Sequence, residues 1–151
     1  MSEKVKIISM FDGRCGIDNN DLRISRRWPA RGSYVMLDKE VVEELMYDDA
    51  FKNMIESGAL YIEDMELKKE LGIEPEDSEK PTIILLDEKE LSRFWKNMPA
   101  AQFKQEIKSL RKMQIDSLVD YAIKHPNDGS MAKIDILTEV SGRNVLKSIE
   151  L

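Results

Sequence analysis

The sequence predicts an α+β protein in which a small β-meander with short helices comes first and a helical bundle follows. Apolar and polar residues alternate in short runs before residue 38, which is typical of half-buried strands. After residue 86, apolar residues recur three and four positions apart, as they do on the buried face of a helix. A charged segment separates the two patterns. We therefore expect an α+β lobe over 1–73, an acidic linker plus an extended segment over 74–86, and a helical lobe over 87–151.

Three short strands are predicted at the start of the chain. They cover Lys4–Phe11, Leu22–Trp28 and Ser33–Leu37. The segments between them, Asp12–Gly16 and Pro29–Gly32, contain the glycines, prolines and aspartate that favour turns. Strands joined by such turns predict a meander.

Aspartates mark the predicted starts of the helices in the first lobe, because an aspartate before an apolar run is a good N-cap. Asp38 precedes the helix predicted over Lys39–Tyr47, Asp49 precedes a second helix, and Asp64 precedes a third. A further strand is predicted over Ala59–Glu63.

The candidate linker, Glu74–Lys80, has five charged residues among seven and no large apolar side chain. Pro81–Leu86 follows as a predicted strand or extended buried segment. The helical periodicity then predicts a bundle of four or five short helices. They cover Glu88–Asn97, Ala100–Met113, Ile115–Ile123, Met131–Val140 and Arg143–Ile149.

Charge is sorted along the chain. Residues 1–37 carry seven basic and four acidic residues, 38–90 carry six and eighteen, and 91–151 carry ten and seven. Opposed surface potentials steer and orient contacts between proteins. The pattern therefore favours a protein that docks on a partner or on a copy of itself.

The basic part supplies one candidate interaction face: Arg23, Arg26, Arg27, Trp28 and Arg31. Arginine and tryptophan are common hot spots of protein interfaces, so a protein partner is the favoured interpretation. A solvated face with intramolecular ion pairs, and phosphate contacts with base stacking, are the alternatives. A pI near 5.0 argues against nucleic acid as the main ligand.

The acidic part supplies the second candidate face: Glu43, Glu44, Asp48 and Asp49. The residue spacing of a calcium-binding EF-hand is missing. Most of the acids in this part precede helices, where the helix dipole favours negative charge. A solvated acidic face, or a docking surface for a basic partner, is therefore expected.

No catalytic pattern stands out. Cys15 and His125 are the only residues of their types, which excludes an internal disulfide, a cysteine-based zinc site and paired histidine ligands. Arg14 beside Cys15 leaves a reactive thiol open, although a small half-buried apolar residue is preferred. We expect no enzyme activity, no cofactor and no metal. No apolar run reaches the roughly 18 residues that a membrane span needs, and no signal sequence is evident, so an intracellular site of synthesis is expected.

Several strings resemble small uncharacterised proteins of tailed bacteriophages that are encoded among virion structural genes. These strings are Arg26–Pro29 with Gly32, Leu60–Asp64, Lys68–Asp77, Met98-Pro99 with Phe103-Lys104, and Tyr121–Ile123. The resemblance covers nearly the whole chain and brings no catalytic residues with it. It implies a structural or virion-associated role, in the host cytoplasm during assembly and then in the virion.

The favoured hypothesis is a non-enzymatic phage assembly or virion-associated protein, present in several copies, whose partners are other copies of itself or other virion proteins. The basic face of one copy would meet the acidic surface of the next in a heterologous, ring-closing contact. The alternative is a monomeric binding module that inhibits a host protein or mimics nucleic acid with its acidic face. An enzyme ranks third, and a co-purifying metal or nucleotide would favour it. No membrane association is expected.

Overall fold

The computed structural model describes residues 3–150, so residues 1, 2 and 151 of the two predicted lobes lie outside the described part. The α+β class is confirmed: antiparallel strands lie near the N-terminus and helices follow. The chain divides into two compact units, with the boundary between Ile84 and Leu85.

The first unit contains two small antiparallel sheets. The strands are β1 (Lys4–Ser9), β2 (Cys15–Asn19), β3 (Ile24–Trp28), β4 (Tyr34–Asp38) and β5 (Leu60–Ile62). One sheet has the order β4-β1-β5, and β2 and β3 form a separate hairpin. In a meander, β1 would pair with the strand that follows it in the chain. Here β1 pairs with β4 and β5, so the sheet is not a meander. Strand β2 was not predicted, since its first residues, Cys15 and Gly16, belong to a segment rich in turn residues.

Helices α1 (Lys39–Leu45), α2 (Asp49–Glu56) and α3 (Met65–Glu70) complete the first unit. Asp64 caps α3 as predicted, because its carboxylate accepts a hydrogen bond from the backbone N–H of Leu67. The cap of α2 is Asp48 and not Asp49. Asp38 stands at the N-cap position of α1, but its carboxylate pairs with Lys4 at 2.6 Å and makes no cap hydrogen bond.

The buried face of the first unit draws on both sheets and all three helices. Its buried members are Val5, Ile7, Ile17, Trp28, Leu37, Val42, Leu45, Phe51, Ile55, Leu60, Ile62 and Leu67. Because β1 and the β2–β3 hairpin contribute to the same core, the turns and tips of these strands are held in defined positions at the surface.

The predicted linker begins with a residue that is part of the first unit. Glu74 is only 2% exposed, and its carboxylate accepts hydrogen bonds from the backbone N–H groups of Thr82 (2.7 Å) and Ile83 (3.2 Å) and from the Thr82 hydroxyl (3.0 Å). Pro81–Leu86 forms no strand, although Ile83 is buried as expected. The first unit therefore extends beyond residue 73, and Glu74 is not one of the solvated acids expected from the sequence.

In its described residues the second unit has helices joined by short loops and contains no strand. It contains α4 (Glu88–Ser92), which continues as one π-helical turn over Arg93–Asn97, then α5 (Ala100–Glu106), α6 (Lys112–Lys124), α7 (Met131–Ser141) and α8 (Val145–Glu150). Phe103 packs edge-on against Phe94 and Trp95, with ring centroids 6.3 Å apart in both pairs. Lys133 is buried, and its ammonium group donates to the carbonyls of Phe94 and Trp95 at 2.9 and 2.8 Å.

Candidate interaction surface

Trp28 does not belong to an exposed basic face, and this part of the sequence prediction is wrong. Its side chain is 0% exposed, and the indole N–H donates a hydrogen bond to the carbonyl of Ile7 at 3.0 Å. Trp28 follows Arg27 on β3, so the two side chains point to opposite faces of the hairpin. The large apolar ring takes the buried face, which leaves no Trp28 surface for a partner.

Arg27 is exposed, but its charge is already paired. Its Nη2 donates to both carboxylate oxygens of Asp18, at 3.1 and 2.9 Å, and its Nη1 donates to the carbonyl of Ile17. Hydrogen bonds from the Ser25 hydroxyl and from Arg27 lower the pKa of the Asp18 carboxyl. The pair is therefore charged at neutral pH and contributes little net positive potential.

Arg31 stabilises a turn of its own chain. It is half-buried, and its Nε donates to the carbonyl of Met10 at 3.1 Å. This bond joins the Pro29–Gly32 turn to the end of β1. Arg31 therefore has a role in the fold, which the charge pattern alone did not indicate.

Arg23 and Arg26 are the predicted basic residues that stay available. Both are exposed, and within the described residues neither is paired with a carboxylate. Arg26 donates to the adjacent carbonyl of Ser25. Arg23 lies in the tight turn between β2 and β3 with φ of 55°, a conformation that is uncommon for a residue other than glycine. The accessible basic face is thus smaller than the predicted one and is concentrated at the hairpin tip.

The predicted acidic residues also divide into exposed groups and one group that is bound within its own chain. Glu43, Glu44 and Asp49 are exposed, and Asp48 is half-buried. The carboxylate of Asp48 accepts from the backbone N–H groups of Ala50 and Phe51 at the start of α2 and from Nδ2 of Asn19 at 3.1 Å. Asp48 therefore holds the hairpin tip to the α1–α2 junction and is not a free docking group.

An acidic recess lies where the hairpin tip meets the α1–α2 junction. Its volume is about 340 Å³, and its lining comprises Asn19, Asp21, Leu22, Glu44, Tyr47 and Asp48. Tyr47 is 86% exposed at this position. Arg23 is the next residue after Leu22, so the basic tip adjoins the acidic recess. The ring-closing contact expected from the sequence needs the basic and acidic faces on separate surfaces of one copy, whereas here the two are adjacent.

Tyr47 was not among the predicted site residues, although the sequence contains a signal for it. The apolar positions of the helix predicted over Lys39–Tyr47 are Val41, Val42, Leu45 and Met46, and residue 47 falls outside that stripe. A large aromatic residue outside the apolar stripe and followed by two aspartates is a candidate for an exposed contact. Tyrosine is also enriched at binding interfaces.

A second cavity contains Cys15. It has a volume of about 540 Å³ and is lined by Arg14, Cys15, Gly16, Arg27, Trp28 and Pro29. Burial raises the pKa of the Cys15 thiol. A hydrogen bond with Ser9, whose hydroxyl oxygen lies 3.7 Å from the sulfur, lowers this pKa by a smaller amount. The thiol is therefore protonated at neutral pH. This environment does not favour a reactive cysteine, in spite of the neighbouring arginines.

Among the described residues, no three His, Cys, Asp or Glu side chains gather in a way that could hold a metal ion. None of the helices in that part of the chain has the length and hydrophobicity to cross a membrane.

Comparison with family models, curated proteins and solved structures finds no match to this chain.

Proposed function

We propose that this chain is a non-enzymatic assembly protein that acts through protein–protein contacts and in several copies, as a virion-associated or assembly component of a tailed phage. The observation that carries the proposal is the juxtaposition of exposed Arg23 with the acidic recess and exposed Tyr47. Support for the phage setting, in the host cytoplasm and then in the virion, comes from the sequence resemblance alone.

Adjacent patches of opposite charge suit a two-fold contact. In a two-fold interface the same patch is used by both copies, so Arg23 of one copy meets the recess of the other and the reverse contact follows by symmetry. A guanidinium group can pair with Glu44 and lie over the ring of Tyr47, which combines an ion pair with a cation–π contact. A two-fold contact therefore replaces the ring-closing contact expected from the sequence.

Charge reversal tests this contact. Arg23→Glu and Glu44→Arg should each lower the native mass measured by sedimentation at low ionic strength, because each places like charges opposite each other. The double variant should restore the mass, since it exchanges the two charges across the same contact. Lys108→Glu is the matched control, because Lys108 is an exposed cation of the second unit. A native mass that stays the same in both single variants would count against the proposal.

The recess also supports a second candidate function, a monomeric module that binds a basic segment of a host protein. Its carboxylates and the exposed ring of Tyr47 suit a lysine or arginine side chain. A monomeric mass at every concentration, together with binding of an arginine-rich peptide that Glu44→Arg abolishes, would favour this candidate. An unchanged peptide affinity in Glu44→Arg would exclude the recess as the binding site.

A further inference from the structure

Strand β4 is an open edge of the three-stranded sheet. It pairs with β1 on one side, and the sheet order places no strand on the other. The backbone N–H of Ser9 donates to the carbonyl of Ser33, and the backbone N–H of Lys39 donates to the carbonyl of Glu3. These two bonds show which residues of β4 direct their backbone groups toward β1. Val35 lies two residues beyond Ser33, so its backbone groups point toward β1. Those of Tyr34 and Met36 consequently point outward, and within the described residues they have no hydrogen-bond partner.

The same edge exposes two large apolar side chains. Tyr34 is 57% exposed and Met36 is 45% exposed, and both lie on the outer face of the sheet. The ammonium group of Lys6 lies 4.4 Å from the centroid of the Tyr34 ring. Natural edge strands are usually protected by lysine, proline or a bulge, because an open edge invites pairing. Residues 34–37 contain no charge and no proline.

We propose that the β4 strands of two copies pair antiparallel about a two-fold axis at Val35. This inference rests on the proposed function in requiring several copies, and it identifies a second interface. In this register Tyr34 lies opposite Met36 of the other copy, so both outward-pointing sets of backbone groups find partners. The two exposed side chains then cover each other, in a methionine–aromatic contact.

A second copy is a better occupant than an unrelated peptide because the edge is complementary to itself. The exposed residues stand symmetrically on either side of Val35, which is the arrangement that a two-fold axis needs. Residues 34–37 carry no charge, Asp38 is paired with Lys4 of its own chain, and the Lys6 ammonium group lies against the Tyr34 ring of its own chain. The result is a continuous sheet with β5-β1-β4 from each copy.

Salt separates this interface from the charged one. At roughly 1 M salt the Debye length is about 3 Å, so the contact at Arg23 is weakened, whereas an apolar and backbone contact persists. Sedimentation of the full chain at this salt concentration should give twice the monomer mass. Met36→Lys should give the monomer mass with an unchanged circular dichroism spectrum. Met131→Lys, which alters an exposed methionine of the second unit, should leave the dimer intact.

A crosslink tests the register directly. In a non-hydrogen-bonded antiparallel pair the two Cα atoms are about 4.5 Å apart, within the range of about 4.4–6.8 Å that a disulfide spans. In a Cys15→Ser background, Val35→Cys should form a disulfide-linked dimer on oxidation, and Met131→Cys should not. A monomeric wild type at high salt, or a dimer that survives Met36→Lys, would overturn the β4 interface. Neither result affects the Arg23–Glu44 exchange at low salt, which tests the proposed function separately.

Discussion

The side chain of Arg27 lies directly across Gly16. Residues 16 and 27 are opposite each other in the β2–β3 hairpin, and a Cβ on residue 16 would lie 2.6 Å from Cδ of Arg27 and 2.9 Å from its Nη1. Atoms at such distances overlap, and the same Cβ would lie 2.9 Å from the backbone carbonyl oxygen of Arg26, so the Arg27 side chain and the β3 backbone can approach this closely only because residue 16 has no side chain. Gly16 is thus required by a cross-strand contact.

Gly16→Ala should release the Asp18 carboxylate from Arg27. The pKa of Asp18, which Ser25 and Arg27 lower in the folded protein, should then rise part of the way to its ordinary value, and Arg27→Met should have the same effect. A lowered carboxyl pKa stabilises the fold above the ordinary pKa and is lost as pH falls, so both variants should lose less stability on acidification. NMR titration of the Asp18 carboxyl carbon measures the change. An identical titration in Gly16→Ala and wild type would contradict the contact.

Gly16 also shows where local sequence patterns mislead. Two glycines within Asp12–Gly16 predict a turn, yet the second glycine lies in a strand, since the reason for it is a side chain eleven residues away. Helix ends have local chemistry, yet of the three aspartates predicted to cap helices of the first unit only Asp64 makes the cap hydrogen bond, because Asp38 pairs with Lys4 and Asp48 takes the place of Asp49. Gly142 ends α7 in the left-handed region with φ of 73°, and Asp64 caps α3 as expected.

The interaction face was predicted only in part, for the same physical reason. Exposure of Arg23, Glu43 and Glu44 follows from local charge and turn patterns. The pairing of Arg27 with Asp18 and the bond from Arg31 to Met10 depend on chain packing, which charge counts do not contain. The burial of Trp28 agrees with the apolar–polar alternation of its predicted strand and contradicts its assignment to the basic face.

Trp28→Ala should strongly destabilise the first unit. Removing a fully buried tryptophan leaves a cavity, and such truncations cost about 3–5 kcal/mol in the free energy of unfolding. Trp28→Phe should cost less, because it keeps most of the ring and loses the hydrogen bond to Ile7. Denaturant unfolding followed by circular dichroism measures both. Arg26→Ala, at an exposed position of the same strand, should change stability by less than about 0.5 kcal/mol. Equal effects of the alanine variants would mean that Trp28 is not a core residue.

Glu74→Gln should loosen the segment that ends the first unit. The Glu74 carboxylate has two oxygens that accept hydrogen bonds, whereas the amide of glutamine has one. At least one of the donors, which are the backbone N–H groups of Thr82 and Ile83 and the Thr82 hydroxyl, therefore loses its acceptor. Leaving a buried donor unsatisfied costs about 1–3 kcal/mol. Hydrogen exchange at the Thr82 and Ile83 amides should become faster, whereas the exposed control Glu76→Gln should leave it unchanged. Equal exchange rates in the two variants would show that Glu74 does not hold this segment.

Lys133→Met should change both the stability of the second unit and its dependence on pH. Lys133 donates to two carbonyls near the end of the helix that stops before Pro99, where backbone acceptors lack helical partners, so its loss should cost about 1–3 kcal/mol at neutral pH.

Burial lowers the pKa of the Lys133 ammonium group, so the folded state binds fewer protons than the unfolded state in the alkaline range below 10.5. The free energy of unfolding should therefore contain a contribution that rises as pH increases through the folded pKa toward 10.5, and Lys133→Met should lack it. Denaturant unfolding at neutral and alkaline pH measures the difference between the two proteins. Lys104→Met, at an exposed position of α5, is the matched control and should follow the wild type. A wild type and a Lys133→Met variant with parallel pH profiles would show that Lys133 is as easily protonated in the folded protein as in the unfolded chain.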